Sequence, residues 1–174
     1  MKSDIEDTAC GKAIVEIAEG NKAALSVIYD QMARLIFSVS YAITGNYADA
    51  EDVLQETMIE IVRYSAAYKI GSNAQAWILT MARHIAVDIV RKKKTAVSIE
   101  DTKMEKLSAG TSAAYRMEVF DMLSILDKEE KQLIIYRLYA GFSYFEIAHI
   151  MDITVYAAQK RYQRTIKKLK KFYS

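Results

Sequence analysis

Three groups of side chains in this sequence have the types and spacing to do chemistry. The first is acidic. Asp49, Asp52 and Glu56 recur at helical spacing, with Glu51 and Gln55 beside them and no cation before Arg63. Residues three and four apart share a helix face, so the run makes one negatively charged strip. Such a strip is either a solvated surface or a docking face for a basic partner. A metal site is not expected there. Zinc draws on imidazole and thiolate ligands as well as carboxylates, and neither His84 nor His149 is near in sequence.

The second group is basic. Residues 160–174 carry seven Lys and Arg and no acid. Helical spacing from Val155 puts Val155, Ala158, Tyr162, Ile166 and Leu169 on one stripe. The other face holds Tyr156, Gln159, Lys160, Arg161, Gln163, Arg164, Lys167 and Lys168. Just before it, Ser143-Tyr144-Phe145-Glu146 has the Ser-x-x-Glu form of a capping box and leads into Ile147, Ala148, Ile150 and Met151. Asp152-Ile153-Thr154 then breaks the chain. Asp tolerates a left-handed backbone, and Thr154 can cap the helix that follows. A short capped helix, a tight turn and a basic helix form a helix-turn-helix. Its second helix fits the major groove, with donors for base edges and cations for phosphates.

The third group surrounds the single tryptophan. Ser72, Asn73 and Gln75 precede Trp77, and Arg83, His84, Arg91, Lys92 and Lys93 follow it. Aromatic rings beside cations suit single-stranded DNA, whose unstacked bases lie on rings while its backbone tracks positive charge. The spacing of Trp77 to Met81 and Ile85 also fits an ordinary buried stripe, and cations at a helix end also suit its dipole. No Gly-rich phosphate loop, Cys–His nucleophile pair or metal-ligand cluster stands out, so neither enzymatic activity nor a cofactor is expected.

The elements that must position these groups read as helices throughout. Gly11 to Thr44 is helical with a break at Gly20-Asn21, giving a short helix and a long one carrying Leu25, Ile28, Tyr29, Met32, Leu35, Ile36 and Val39. After the stop at Gly45-Asn46, a helix from Tyr47 to Tyr64 buries Ala50, Val53, Leu54, Met58 and Ile61 and turns Asp49, Asp52, Gln55, Glu56 and Glu60 outward. A loop at residues 69–73 leads to a helix from Asn73 to Lys93 that buries Trp77, Ile78, Met81, Ile85 and Ile89. Residues 95–112 hold no period and are rich in polar and small side chains, as an interdomain linker would be. Helices then span Ala113 to Leu126, with Met117, Phe120, Leu123 and Leu126 in register, and Asp127 to Tyr139, ending at Gly141. The expected fold is therefore all-α. Two small helical domains, residues 1–94 and 113–174, are joined by a flexible linker, and the second contains the helix-turn-helix.

Composition agrees. Proline is absent, glycine numbers six, and 52% of residues are hydrophobic, so helices with real cores are favoured over turn-rich β structure. Residues 1–90 carry 7 Lys and Arg against 12 Asp and Glu, whereas residues 91–174 carry 17 against 10. An acidic front and a basic back imply different partners for the two halves. One cysteine, Cys10, allows no intrachain disulfide and suits a reducing cytoplasm. The acidic N-terminus does not resemble a signal peptide, and no apolar run is long enough for membrane insertion.

Asp49-Ala50-Glu51-Asp52-Val53-Leu54-Gln55-Glu56-Thr57 resembles the acidic motif of bacterial sigma factors of the extracytoplasmic-function (ECF) group. The segment from Ala76-Trp77-Ile78 through His84 to Asp88-Ile89-Val90-Arg91 is similar to that family's promoter-melting helix. The helix-turn-helix falls where the family keeps its second conserved domain. The resemblance implies a sigma factor that directs core RNA polymerase to promoter DNA. Asp49, Glu51, Asp52, Gln55 and Glu56 would dock on the β′ clamp helices. Ser72 to Gln75 and the helix from Trp77 to Lys93 would capture and melt the −10 element. Tyr156, Gln159, Lys160, Arg161, Arg164 and Lys167 would read the −35 element, and the segment from Met117 to Tyr139 would touch the β flap. Sequestration by an anti-sigma factor is common in the family. Two positions depart from its pattern: Leu126-Asp127 stands where Leu-Pro is usual, and Tyr156-Ala157-Ala158-Gln159 replaces the usual start of the recognition helix. The alternative reading of the residues is a stand-alone helix-turn-helix regulator with an N-terminal interaction domain.

Overall fold

Short local signals decide where each helix begins and ends. The computed structural model describes residues 8–97 and 123–174, and all regular structure among them is helical. The chain divides into two compact units, Met1–Ile89 and Val90–Ser174.

In the first unit, α1 (Ala9–Ala18) is capped by Thr8, whose hydroxyl accepts from the Gly11 amide at 3.3 Å. A 3₁₀ turn at Lys22–Ala24 leads into α2 (Leu25–Thr44). Gly45 closes α2 with φ 67°, a left-handed backbone that glycine adopts without a Cβ clash. Asn46 then caps α3 (Tyr47–Tyr64), its side chain accepting from the Asp49 amide at 3.0 Å. A single Gly-Asn pair thus stops one helix and starts the next. The core draws Ile14 from α1, Ile28, Met32, Ile36 and Val39 from α2, and Val53 and Ile61 from α3. Tyr29, expected in this stripe, is exposed instead.

The helix α4 (Ala74–Val97) runs past the expected end, so Thr95 to Val97 are helical rather than linker. Its buried face is also rotated from the expected one. Ile78, Leu79, Ala82 and Ala86 are buried, whereas Trp77, Met81, Ile85 and Ile89 are half-buried. Small alanines let neighbouring elements approach closely, so the inner face follows them rather than the largest side chains. The rest of the expected linker and the expected helix through Met117 and Phe120 lie outside the described residues.

In the second unit, Leu123 to Leu126 form a turn rather than the end of a helix. Asp127 caps α5 (Lys128–Ile134) in a complete capping box. Its carboxylate accepts from the Glu130 amide at 2.8 Å, and Glu130 accepts from the Asp127 amide at 2.9 Å. This box supplies the helix start that a proline would otherwise supply by pre-setting φ. The helix then widens into a π turn at Ile135–Tyr139, which leaves Leu138 and Tyr139 exposed. A second capping box, Ser143 with Glu146, starts α6 (Tyr144–Met151). Asp152 ends α6 at φ 53°, ψ 49°, and the Ile153 amide donates to Ala148 O at 3.0 Å to close the turn. Thr154 caps α7 (Val155–Tyr173), accepting from the Ala157 amide at 3.1 Å. The expected helix-turn-helix is therefore formed, cap by cap. Leu123, Leu126 and Ile134 make a core cluster against which Tyr162, Ile166 and Leu169 of α7 pack. Val155, expected in the buried stripe, is exposed, and Ala158 and Thr165 are the buried residues of α7.

The left-handed Asp152 gives a direct check. Asp tolerates this backbone because its short polar side chain can hydrogen-bond locally, whereas a branched apolar Cβ only crowds the following carbonyl, so Asp152→Val is expected to cost about 1–2 kcal/mol. Asp152→Gly should be tolerated. Urea unfolding followed by circular dichroism measures both.

Candidate functional site

The acidic strip is set by the stripe opposite it. Because Ala50, Val53, Thr57 and Ile61 turn inward, Glu51, Asp52 and Gln55 are exposed and Glu56 is half-exposed on the outer side of α3. Asp49 does not join them. It is 8% exposed in the first turn of the helix, where a carboxylate meets the positive end of the dipole. The outward strip of the expected set is therefore Glu51, Asp52, Gln55 and Glu56. Farther along, Glu60 pairs with Arg63. An apolar groove is lined by Leu25 of α2 and by Met58, Ile59, Val62 and Arg63 of α3, with Ile59 51% exposed. Sequence reasoning missed this groove. Its signal was Ile59 itself, a large apolar residue outside the 50–53–54–58–61 stripe.

The tryptophan region is tied together by local hydrogen bonds. Tyr68 is buried, and its hydroxyl donates to Ser72 O at 2.8 Å. The Ser72 hydroxyl donates to Lys69 O at 2.7 Å. Asn73 caps α4 through the Ala76 amide at 3.0 Å. Trp77 meets Tyr68 edge-on, with ring centroids 5.4 Å apart, an arrangement that adds to simple burial. Ser72, Asn73, Gln75 and Trp77 are all half-buried, so the loop presents partial faces of polar and aromatic groups rather than a free tip. Arg83 is half-buried, His84 is exposed, and Arg91, Lys92 and Lys93 are exposed along the C-terminal turns of α4. The structure thus brings Ser72 to Trp77 into one local site. The later cations follow farther along the same helix.

The basic face of α7 is open. Tyr156, Lys160, Gln163, Arg164 and Lys167, with Ala157 and Arg161, line one continuous concave surface. Tyr156 is 68% exposed, and the Lys160 ammonium lies 5.6 Å from its ring centroid, within cation–π range. Gln159 is exposed on the flank of this surface. Arg161 is half-buried and ion-paired with Glu129. Behind the face, the Arg137 guanidinium stacks 4.6 Å from the Tyr144 ring centroid and donates to Phe142 O at 2.7 Å. Tyr144 in turn packs edge-on to Tyr162 of α7 at 5.8 Å.

Other chemistry is not built up. Burial pushes the Cys10 thiol above its usual pKa, and the thiol donates to Gln31 Oε1 at 3.2 Å. A raised pKa keeps the thiol protonated and unreactive. Among the described residues no three His, Cys, Asp or Glu side chains come together to hold a metal ion. No described helix is long and apolar enough to cross a membrane.

Residues 28–96 match the family "Sigma-70 region 2", and residues 116–169 match "Sigma-70, region 4". The chain belongs to the ECF group of the sigma-70 family. Among its curated relatives, the ECF RNA polymerase sigma factor SigL of Mycobacterium tuberculosis is 26% identical over 88% of this chain and 90% of its own. The ECF RNA polymerase sigma factor SigM of Bacillus subtilis is 29% identical over 73% of this chain and 81% of its own. Two solved structures share the fold at a TM-score of 0.71. One is CnrH in complex with the cytosolic domain of CnrY, 17% identical, covering 95% of this chain and 97% of that one. The other is the sigma factor RpoE with the anti-sigma factor NepR from Bartonella quintana, 21% identical, covering 83% of this chain and 94% of that one. This ECF sigma factor is a transcription initiation factor that directs promoter recognition. The stand-alone regulator is the less favoured reading.

The cap at Asn73 anchors the tryptophan loop to α4. Asn73→Ala is expected to destabilise the first unit by about 1 kcal/mol. The lowered midpoint is read from Trp77 emission during thermal unfolding.

Proposed function

We propose that the outward strip of α3, formed by Glu51, Asp52, Gln55 and Glu56, grips the β′ clamp helices of core RNA polymerase, with the adjoining Ile59 groove supplying the apolar part of the contact. The observation that carries this is that α3 bears exposed carboxylates and also lines most of an exposed apolar groove. Charge fixes register and speeds encounter, while buried apolar area supplies affinity. Asp49 supports the strip from within the helix rather than touching the partner.

The loop and helix from Ser72 through Trp77 to Arg83, His84, Arg91, Lys92 and Lys93 would take the −10 element as a single strand. Half-buried Trp77 offers one ring face, and the cations of α4 track the backbone. The concave face of α7 would read the −35 element in the major groove, with Tyr156 and Gln159 toward base edges and Lys160, Arg164 and Lys167 toward phosphates. The acidic front and basic back then have distinct tasks: the first meets protein, the second DNA. The β flap is the proposed partner of the segment ending in the exposed Leu138 and Tyr139. An anti-sigma factor is a further proposed partner, supported by the shared fold with RpoE, a sigma factor solved in complex with the anti-sigma factor NepR. The protein acts in the cytoplasm beside the polymerase and has no catalytic activity or cofactor of its own.

Asp52→Arg combined with Glu56→Arg reverses the charge of the strip without touching the buried stripe. The double variant should lose co-elution with core polymerase while its helical content is unchanged. Co-elution equal to that of the unmodified chain would sink the docking assignment. Run-off transcription with purified core enzyme tests the whole reading: start sites should appear only when this chain is added. Tyr156→Ala should leave core binding intact and change which −35 sequences a promoter library yields.

A further inference from the structure

Two consecutive acids at the start of α5 hold two cations of α7. Glu129 is ion-paired with Arg161, and Glu130 Oε2 accepts from Lys168 Nζ at 2.8 Å. The same Oε2 accepts the Asp127 amide and so closes the capping box. One carboxylate oxygen therefore joins the first turn of α5 to the basic helix. Arg161 and Lys168 stand seven residues apart, two helical turns, and so lie on one flank of α7.

The inner face of α7 makes mostly apolar contacts, through Ala158, Tyr162, Ile166 and Leu169. Only Ala158 and Thr165 of that face are fully buried, so it resists rolling of α7 about its axis less than a full apolar stripe would. Ion pairs along one flank have a direction, and two of them separated by two turns resist that roll. Each pair alone is exposed and weak. Glu130, however, is largely shielded, at 15% side-chain exposure, and its capping-box bond fixes it in place. The concave face turns with the helix. A change of roll would move Tyr156, Lys160, Arg164 and Lys167 together relative to a groove.

We propose that Glu129 and Glu130 are positioning residues that set the roll of α7, and that Arg161 and Lys168 serve this strap rather than DNA. The proposal rests on the reading that the concave face of α7 enters duplex DNA. It reassigns Arg161, which its place in the sequence and its position at the edge of the same surface would group with the DNA contacts. Of the cations on α7, Lys160, Arg164 and Lys167 remain as the phosphate set on that face.

The salt dependence of binding separates the two roles. The full chain is titrated with a duplex carrying the −35 sequence that it selects from a randomised pool, and with a scrambled duplex, at several salt concentrations. Lys160→Gln and Lys167→Gln should each lower the slope of log affinity against log salt by about 0.9, the size of one phosphate contact. Arg161→Gln and Lys168→Gln should leave the slope unchanged. Glu129→Gln with Glu130→Gln should reduce the selected-to-scrambled ratio by about three- to fivefold, the size of two exposed ion pairs. The swap of Glu129→Arg with Arg161→Glu keeps the net charge and remakes the pair, so it should restore the ratio lost in Arg161→Gln. Thermal melts confirm that each variant is folded. A slope lowered by one contact in Arg161→Gln would overturn the proposal, as would an unchanged ratio in the Glu129–Glu130 double variant. If Lys160→Gln and Lys167→Gln also leave the slope untouched, the groove reading itself fails and the strap loses its purpose with it.

Discussion

A helix that buries one stripe must present the opposite one, and in this protein that constraint does most of the positioning. Along α3, Ala50, Val53, Thr57 and Ile61 leave water together. The favourable transfer of that stripe, about 25 cal/mol per Å² of apolar surface, holds the helix at one rotation. Glu51, Asp52 and Gln55 are therefore displayed at a fixed angle without any contact of their own. Along α7 the same rule operates with less material, because only Ala158 and Thr165 are fully buried. A helix with so thin an inner face needs further support, and here that support is ionic and aromatic: Glu129 and Glu130 along one flank, and the Arg137–Tyr144–Tyr162 contacts beside the apolar stripe.

Helix boundaries are legible in the sequence because their signals are local. Gly45-Asn46 stops α2 and caps α3 within two residues, and the expected span Tyr47 to Tyr64 is the observed one. The Ser143 box, the left-handed Asp152 and the Thr154 cap are each satisfied within a few residues of themselves, so the helix-turn-helix can be read directly. Facing is harder. In α4 the large residues Trp77, Met81 and Ile85 suggest one inner stripe, but the alanines at 82 and 86 lie inside. Hydrophobic size marks apolar character, whereas close packing of elements is governed by where there is room. Asp49 misleads for a related reason. Its charge marks it as an outward residue, but the first turn of a helix can accommodate a carboxylate turned inward.

Long-range features leave no trace in the sequence. The pair Glu129–Arg161 spans 32 residues, and Glu130–Lys168 spans 38. Nothing in either local pattern selects the partner. The Ile59 groove is similar, since it depends on Leu25 at the far end of α2. The candidate sites are therefore visible as residue types, but which of those residues are exposed and which are held by distant partners comes only from the fold.

The π turn at Ile135–Tyr139 has a consequence of a different kind. A wide turn accommodates one residue more than regular α-helical winding would place there. In effect the chain carries an inserted residue whose disturbance is confined to a single turn, because Leu133 and Ile134 before it and Phe142 after it all stay buried. An added residue between the Asp127 box and the Ser143 box can thus be absorbed within one turn, leaving the buried contacts on either side in register.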